Sequence, residues 1–493
     1  MRRIPEKGID KKKLLAEMQA MREGDANWQD ARTWSMVYYA GAAHHDFIKK
    51  AHNLFFAENG LNPIAFKSLK RMEAEVVAMT ASMLHGDDKT VGTMTSGGTE
   101  SILLAVKAAR DRARRTRPWI RSPEMVLPRT LHVAFDKASH YFGVKARYVD
   151  TGPDFRADVG AMAKAIGRNT VLVAASAPQY PHGIVDPIEE LGAVCEQKGV
   201  PLHVDACFGG FALPWIEKLG RPLPVWDFRV DGVTSISADV HKYGYAAKGA
   251  SVIVYRDMSY LKHQFFVSTN WPGGIYASPS MPGTRPGGSI AAAWAAMQSL
   301  GEAGYLRLMQ GTLEAVDKLK AGIEAIDGVA VVGEPHATVV AYQSDDEAVD
   351  IYAVADRLEA KGWAVDRQQW PNCIHLTVNA HNLPVVDTYL EDVREAVAWC
   401  RAHPEAAASG NAAMYGMMAK IPFRGMVKLS VQKIMEAMYS GDGEMPDLAN
   451  LGAGDDDGLL FKAINKYGDQ AMALLDKLQA GQKSLAARLG RQR

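Results

Sequence analysis

Five short apolar runs, at 131–135, 170–175, 201–206, 232–237 and 251–255, alternate with helix-length stretches, and this alternation narrows the possible folds more than anything else in the chain. Strands rejoined through helices lie side by side in parallel, which predicts a mainly parallel α/β sheet covered on both faces. In such sheets the loops leaving the strand ends carry the site. At 493 residues the chain exceeds what one hydrophobic core usually supports, so it is expected to divide. Residues 10–59 read as helical, with Leu14, Leu15, Met18 and Met21 at mixed three and four spacing, and give an N-terminal helical arm over 1–60. A large domain is expected over 61–290, with a helix at 68–84 and a second one opening at Gly97-Gly98-Thr99. The Gly- and Pro-rich stretch 271–289 (WPGGIYASPSMPGTRPGGS) reads as an ordered functional loop.

A smaller C-terminal α+β domain is expected over 291–440, from a long helix (291–326), the strand-like VAVVG, TVVAYQS and CIHLTV, and helices near 351–361 and 385–403. The tail, 441–493, combines the polar GAGDDDG with an amphipathic stretch at 459–489. That stretch suits packing on a domain or a second subunit, and peripheral contact with a membrane surface is the alternative. Lys plus Arg number 56 and Asp plus Glu number 56, so no overall field draws the chain to nucleic acid. Cys195, Cys207, Cys373 and Cys400 lie far apart with no CxxC pair, which argues against a disulfide framework or structural zinc and fits a reducing cytoplasm. No signal-peptide core and no run of 18 apolar residues is present, so no transmembrane segment and no metal are expected.

Ser237-Ala238-Asp239-Val240-His241-Lys242 follows the apolar GVTSI, which puts a lysine and a histidine at a strand end. A lysine there suits a Schiff base with an aldehyde cofactor such as pyridoxal 5'-phosphate (PLP), and a solvated loop lysine is the plain alternative. In LHVDAC, Asp205 is a carboxylate inside an apolar strand and needs a cationic partner. A protonated pyridine nitrogen is such a partner and makes the ring an electron sink. His203 and Cys207 share its face by the period-two rule and are candidates for the same pocket, with Cys207 also reading as a small buried hydrophobe. TSGGTES places Gly97, Gly98 and Thr99 at a helix start, where backbone amides can hold a phosphate or the hydroxyls can simply cap the helix. His132 in LHVAFDKASHYF is placed to stack on a cofactor ring, or to sit satisfied in the core.

In the chain order Gly97-Gly98-Thr99, His132, Asp205, Lys242, these segments resemble PLP enzymes of fold type I, in the branch of glutamate-decarboxylase-like enzymes. Within it the likeness is to the sphingosine-1-phosphate lyase family, carried by TSGGTESILLAVKAARD, PQYPHGIVDP, PLHVDACFGGF, DFRVDGVTSISADVHKYGYAAKG, QFFVSTNWPGGIYASP and GTRPGG. It runs from about residue 37 to 375. The resemblance implies a mainly parallel seven-stranded sheet in a large PLP-binding domain, with Lys242 as Schiff-base lysine, Asp205 on the pyridinium and His132 stacked on the ring. It assigns the cofactor phosphate to Gly97, Gly98, Thr99 and His241, and to Thr284 from a neighbouring subunit, so that a homodimer shares its active sites.

For the substrate the family uses a tyrosine, a histidine and a second lysine around a phosphate, which fall on Tyr38, Asn62 and Lys248. Asparagine is uncharged, so part of the expected grip is missing at Asn62. Tyr180 matches an aromatic pocket position, and Phe265 and Phe266 are candidates for the apolar tail or for plain core packing. The implied reaction is a retro-aldol cleavage of a phosphorylated long-chain base to a fatty aldehyde and phosphoethanolamine, with Lys242, Lys248, Tyr180 and the cofactor phosphate all open as the base. An amino-acid decarboxylase is the rival enzyme reading, and a PLP-binding protein without turnover the rival from another class.

Overall fold

The computed structural model describes residues 3–420 and 424–440, so the expected amphipathic tail, 441–493, lies outside the described residues. The described residues divide into two units, Asp25–Ala407 and a second that takes in 3–24, 408–420 and 424–440. In the second unit the described elements are the helices Lys11–Ala20, Gly410–Lys420 and Arg424–Ser440. Leu14, Leu15 and Met18 are exposed on the first of these, as is Met21 at its C-terminal cap.

The larger unit is built on a seven-stranded sheet of β1 (Val91–Thr95), β2 (Glu124–Pro128), β3 (Lys145–Val149), β4 (Thr170–Ser176), β5 (Leu202–Asp205), β6 (Val233–Ala238) and β7 (Ser251–Tyr255), in the order β1-β7-β6-β5-β4-β2-β3. Only β7 runs against its neighbours, pairing antiparallel with both β1 and β6. Every residue of β4, β5, β6 and β7 is buried, as a sheet covered on both faces requires. Ser176, Asp205 and Ser237 lie in register across β4, β5 and β6, which sets the ends of three strands level.

A hairpin of β8 (Phe266–Ser268) and β9 (Tyr276–Ser278) lies within and beside the Gly- and Pro-rich stretch. Beyond it the helix Gly287–Glu324 is interrupted at Gly301, whose φ of 56° and ψ of −177° suit glycine. The boundary drawn near residue 290 falls just inside this helix. A four-stranded antiparallel sheet follows, β10 (Val329–Val331), β11 (Val339–Ser344), β12 (Asp366–Gln368) and β13 (Cys373–Thr377), ordered β10-β11-β13-β12, with helices Ile351–Ala360 and Val386–Ala402.

Two expectations about local structure fail for identifiable reasons. The run 131–135 is not a strand: it leads into the helix Ala134–Phe142, because Leu131, Phe135 and Ala138 recur at helical spacing and are buried while Val133 between them is exposed. The strand in that region is the earlier β2, which sits between Pro123 and Pro128 and lacks alternation because all but its first residue is buried. The arm is likewise not continuous helix: 21–41 is irregular, and the second helix is Ala42–Leu54.

Candidate active site

Five loops leave the same edge of the large sheet and enclose a pocket of about 380 Å³. β1 delivers Gly97, Gly98 and Thr99, β2 delivers His132, β4 delivers Tyr180, β5 ends on Asp205, and β6 runs into Asp239, His241 and Lys242. Parallel packing thus converts residues far apart in sequence into one wall.

Asp205 is buried, with Oδ1 accepting from the Cys207 amide at 3.1 Å and from Ser237 Oγ at 3.3 Å. Among the described residues no hydrogen bond reaches its Oδ2, which leaves that oxygen for a cationic ligand. The Cys207 sulfur also lines the pocket and donates to Ser237 Oγ at 3.3 Å. Burial, then the charges of Asp205 and Asp239, push this thiol well above its ordinary range, so it stays protonated and acts as packing. His203 does not reach the pocket: its ring is buried near Phe135 and its Nδ1 bonds Ser235 Oγ at 2.8 Å. Sharing a strand face placed it deeper in the sheet, while the pocket opens only beyond the strand end.

Lys242 Nζ sits 2.9 Å from Asp239 Oδ2 and 3.9 Å from the centre of the Phe208 ring. Burial disfavours the ammonium, but the attraction of Asp239 outweighs it and holds the lysine above its usual range. Asp239 is held below its usual range against the same burial, by Lys242 first and His241 next. Its other oxygen, Oδ1, is buried without a partner among the described residues. His241 accepts the Ala250 amide at Nδ1 (3.2 Å), which puts the proton of its neutral ring on Nε2, 3.8 Å from Asp239 Oδ2. Burial lowers its pKa and keeps it in that neutral form.

The helix Gly98–Thr116 begins after Gly97 with no side-chain cap, so its first amides are free to meet an anion. A Cβ on Gly98 would lie 2.5 Å from Cys207 Sγ and 2.9 Å from Asp239 Oδ2, so only glycine brings this backbone so close to the pocket floor. Glu100 turns back to accept from Ser96 N at 2.7 Å and from Met281 N at 2.8 Å, tying the Gly- and Pro-rich stretch to the helix start.

His132 accepts the Ala134 amide at Nδ1 and stands edge-on to Tyr180, ring centres 6.3 Å apart. Tyr180 stacks on His375 at 4.3 Å and donates to Asp366 Oδ2 at 3.4 Å. Burial first, and Asp366 second, raise its phenol so that it remains a donor. His375 is fully buried and pushed down to about 4, hence neutral. Asp239, Phe208, His375 and Asp366 were missed in the sequence. The argument that singled out Asp205, a polar group in an apolar run, applies equally to Asp239 and to His375 in CIHLTV, whereas nothing local marks Asp366.

The remaining expected residues lie elsewhere. Tyr38 and Lys248 border a second cavity, with Lys248 Nζ 5.1 Å from the centre of the Tyr38 ring. Asn62 and Thr284 are exposed and border neither cavity. Asn62 instead caps its own turn, Oδ1 accepting from the Ile64 and Ala65 amides. Phe265 and Phe266 are exposed beside or on the hairpin, which removes core packing as their explanation and leaves them off both cavity walls.

A lysine amine, a buried carboxylate with a free oxygen, an uncapped helix start and an imidazole N–H around one pocket match the aldehyde, ring nitrogen and phosphate of PLP. Residues 19–345 match the model of the pyridoxal-dependent decarboxylase conserved domain. Sphingosine-1-phosphate lyases are 45% identical in Arabidopsis thaliana, over 88% of this chain and 81% of that protein, and 44% in Oryza sativa, over the same shares. The solved structure of the sphingosine-1-phosphate lyase of Burkholderia pseudomallei aligns with a TM-score of 0.78 and 40% identity, over 83% of this chain and 95% of that one. A probable L-tyrosine/L-aspartate decarboxylase of Methanothermobacter thermautotrophicus is 34% identical over 68% of this chain and 90% of its own length. The chain therefore belongs to the pyridoxal-dependent decarboxylase family, in its sphingosine-1-phosphate lyase branch, and its cofactor is pyridoxal phosphate.

Proposed function

We propose that this protein is a PLP-dependent carbon–carbon lyase that cleaves phosphorylated long-chain bases to a fatty aldehyde and phosphoethanolamine. The observation that carries the reading is that Lys242, Asp205 and the uncapped helix start at Gly98 line one pocket. When bound, PLP supplies an aldehyde for an amine and a protonated ring that takes up the electrons of the breaking bond.

The chain's own residues divide the remaining work. Lys242 offers the amine, which becomes nucleophilic only on losing its proton, and Asp239 is the buried group that governs that proton. Asp205, fixed by Cys207 and Ser237, sets a negative charge against the ring nitrogen. The Gly98 and Thr99 amides and His241 Nε2 supply donors for the cofactor phosphate, and His132 offers a ring face. Tyr180, kept protonated with its hydroxyl donating to Asp366, turns its ring and its oxygen's acceptor side to the pocket. Thr284 is exposed in the single chain, which is consistent with its reaching the phosphate site of a second copy in a homodimer. Among the described residues no helix is long and apolar enough to cross a membrane, and the four cysteines are free and buried, which favours a reducing compartment such as the cytoplasm.

Incubation with sphinganine 1-phosphate, with capture of released aldehyde and phosphoethanolamine, tests the reading, and absence of aldehyde refutes it. The decarboxylase alternative is supported by the Methanothermobacter relative, and carbon dioxide release from amino acids is its signature.

A further inference from the structure

The second cavity, also of about 380 Å³, meets the lysine pocket at His241. One wall is the helix Ala42–Leu54, which brings His45, Lys49 and His52 to it at spacings of four and three, so that they share a face. Another is the segment after the catalytic lysine, which contributes Lys248. No aspartate or glutamate is among the described residues lining it.

The cationic groups are positioned yet lack a strong counter-ion. Lys248 is exposed along part of its length, but its ammonium is drawn in to donate to the Met36 carbonyl at 2.6 Å. Burial, then Lys242, push its pKa down to about 8, the mark of a positive charge without a matching anion. Lys49 lies 3.6 Å from Asp46, but both side chains are largely exposed, at 61% and 67%, where such a pair is weak and free to rearrange. His44 donates from Nε2 to the Tyr245 carbonyl at 2.9 Å and so pins the helix to the loop of Lys248. The His52 ring is fixed against the backbone of Gly288, where a Cβ would meet it at 2.7 Å. His45 is lowered by burial and then by Lys49, and as a neutral imidazole it still offers one N–H.

The cavity holds Tyr38 and Lys248, where the resemblance places the substrate phosphate; we propose that His45 and Lys49, with His52, are further recognition residues for that anionic head group and take the role the resemblance assigns to residue 62. The inference rests on the lyase reading for its substrate, but its ligand chemistry, a phosphate monoester beside an amine, can be tested alone. The phosphate lies between Lys248 and the helix, and the amine points through the junction at His241 toward Lys242.

Equilibrium dialysis of the holoenzyme against phosphoethanolamine reads the site directly. Wild type binds it, the His45→Gln/Lys49→Gln double variant binds it at least about tenfold more weakly, and Lys49→Arg retains most of the affinity. Lys50→Gln, one residue along and off the cavity wall, binds as wild type. With sphinganine 1-phosphate the double variant raises KM by a similar factor with kcat little changed, since the contact precedes bond cleavage. The absorbance of the lysine-bound cofactor reports folding, and Lys49→Gln alone decides if His45→Gln does not fold. Wild-type affinity in the double variant overturns the inference, as does a wild type that binds no phosphoethanolamine. A wild type that binds phosphoethanolamine but releases no aldehyde removes the lyase reading and leaves the anion site standing.

Discussion

The two cavities meet at His241 and are made of different material. In the lysine pocket the central carboxylate and the lysine hang from the ends of β5 and β6, strands with every residue buried and held in register. In the head-group cavity the donors ride on a surface helix with Ile48 as its buried residue and on a loop whose lysine is exposed. The contrast separates chemistry from recognition. Charges that must be placed to a fraction of an ångström are fixed by the sheet, while groups that choose a ligand stand where substitution disturbs little packing.

The largest expected effects therefore fall in the first cavity. Lys242→Ala abolishes the absorbance of lysine-bound cofactor and lowers kcat on the order of 10³-fold or more. Borohydride reduction followed by peptide mapping locates the adduct on Lys242 in the wild type, and an adduct at any other lysine breaks the assignment. Asp205→Asn comes next. Its side chain can still accept from Cys207 and Ser237, so the fold and the lysine-bound cofactor persist, while loss of the charge at the ring nitrogen lowers kcat by about 10²–10³-fold. A kcat near wild type in this variant means that Asp205 does not serve the ring.

The same contrast decides what could be seen in the sequence. β4 through β7 were legible because their fully buried residues make short runs of apolar, β-branched and small residues, and Asp205 stood out as the charge inside one of them. β3 (KARYV) was not, because it is an edge strand with a mixed burial pattern that resembles a loop. Lys242 and the glycines at 97 and 98 carried their own chemistry in a local motif. Asp366 and His375 belong to the second, antiparallel sheet and acquire meaning only where the fold brings them to Tyr180. His45, Lys49 and His52 read as an ordinary polar helix face, since no local pattern tells a helix that faces solvent from one that faces a cavity.

A smaller effect tests the second cavity by pH. The Lys248 ammonium, at about 8 and below an ordinary lysine, is present under pH 8 and lost as the pH rises through it. Phosphate monoesters are ionised across that range. From about pH 7, where the second phosphate charge is largely formed, phosphoethanolamine affinity is therefore flat to about pH 8 and falls above it, and Lys248→Gln weakens binding about tenfold while removing this fall. If the fall persists in Lys248→Gln, another group carries it, and Lys242 is the first to examine because its charge faces Lys248.

The smallest effect concerns Asn62. Its carboxamide oxygen accepts two backbone amides and borders neither cavity, so its removal touches a turn before it touches a substrate. Asn62→Ala is expected to destabilise the protein by about 1 kcal/mol, read as a lower urea midpoint. Its KM should move far less than in His45→Gln/Lys49→Gln. A rise in KM as large as that of the double variant brings residue 62 into the head-group site, and with the side chain exposed in one chain the contact must come from a second copy. The division between a sheet-built reaction centre and a helix-built recognition site would then run across a subunit boundary, and titrating variant against wild-type subunits would show which copy supplies it.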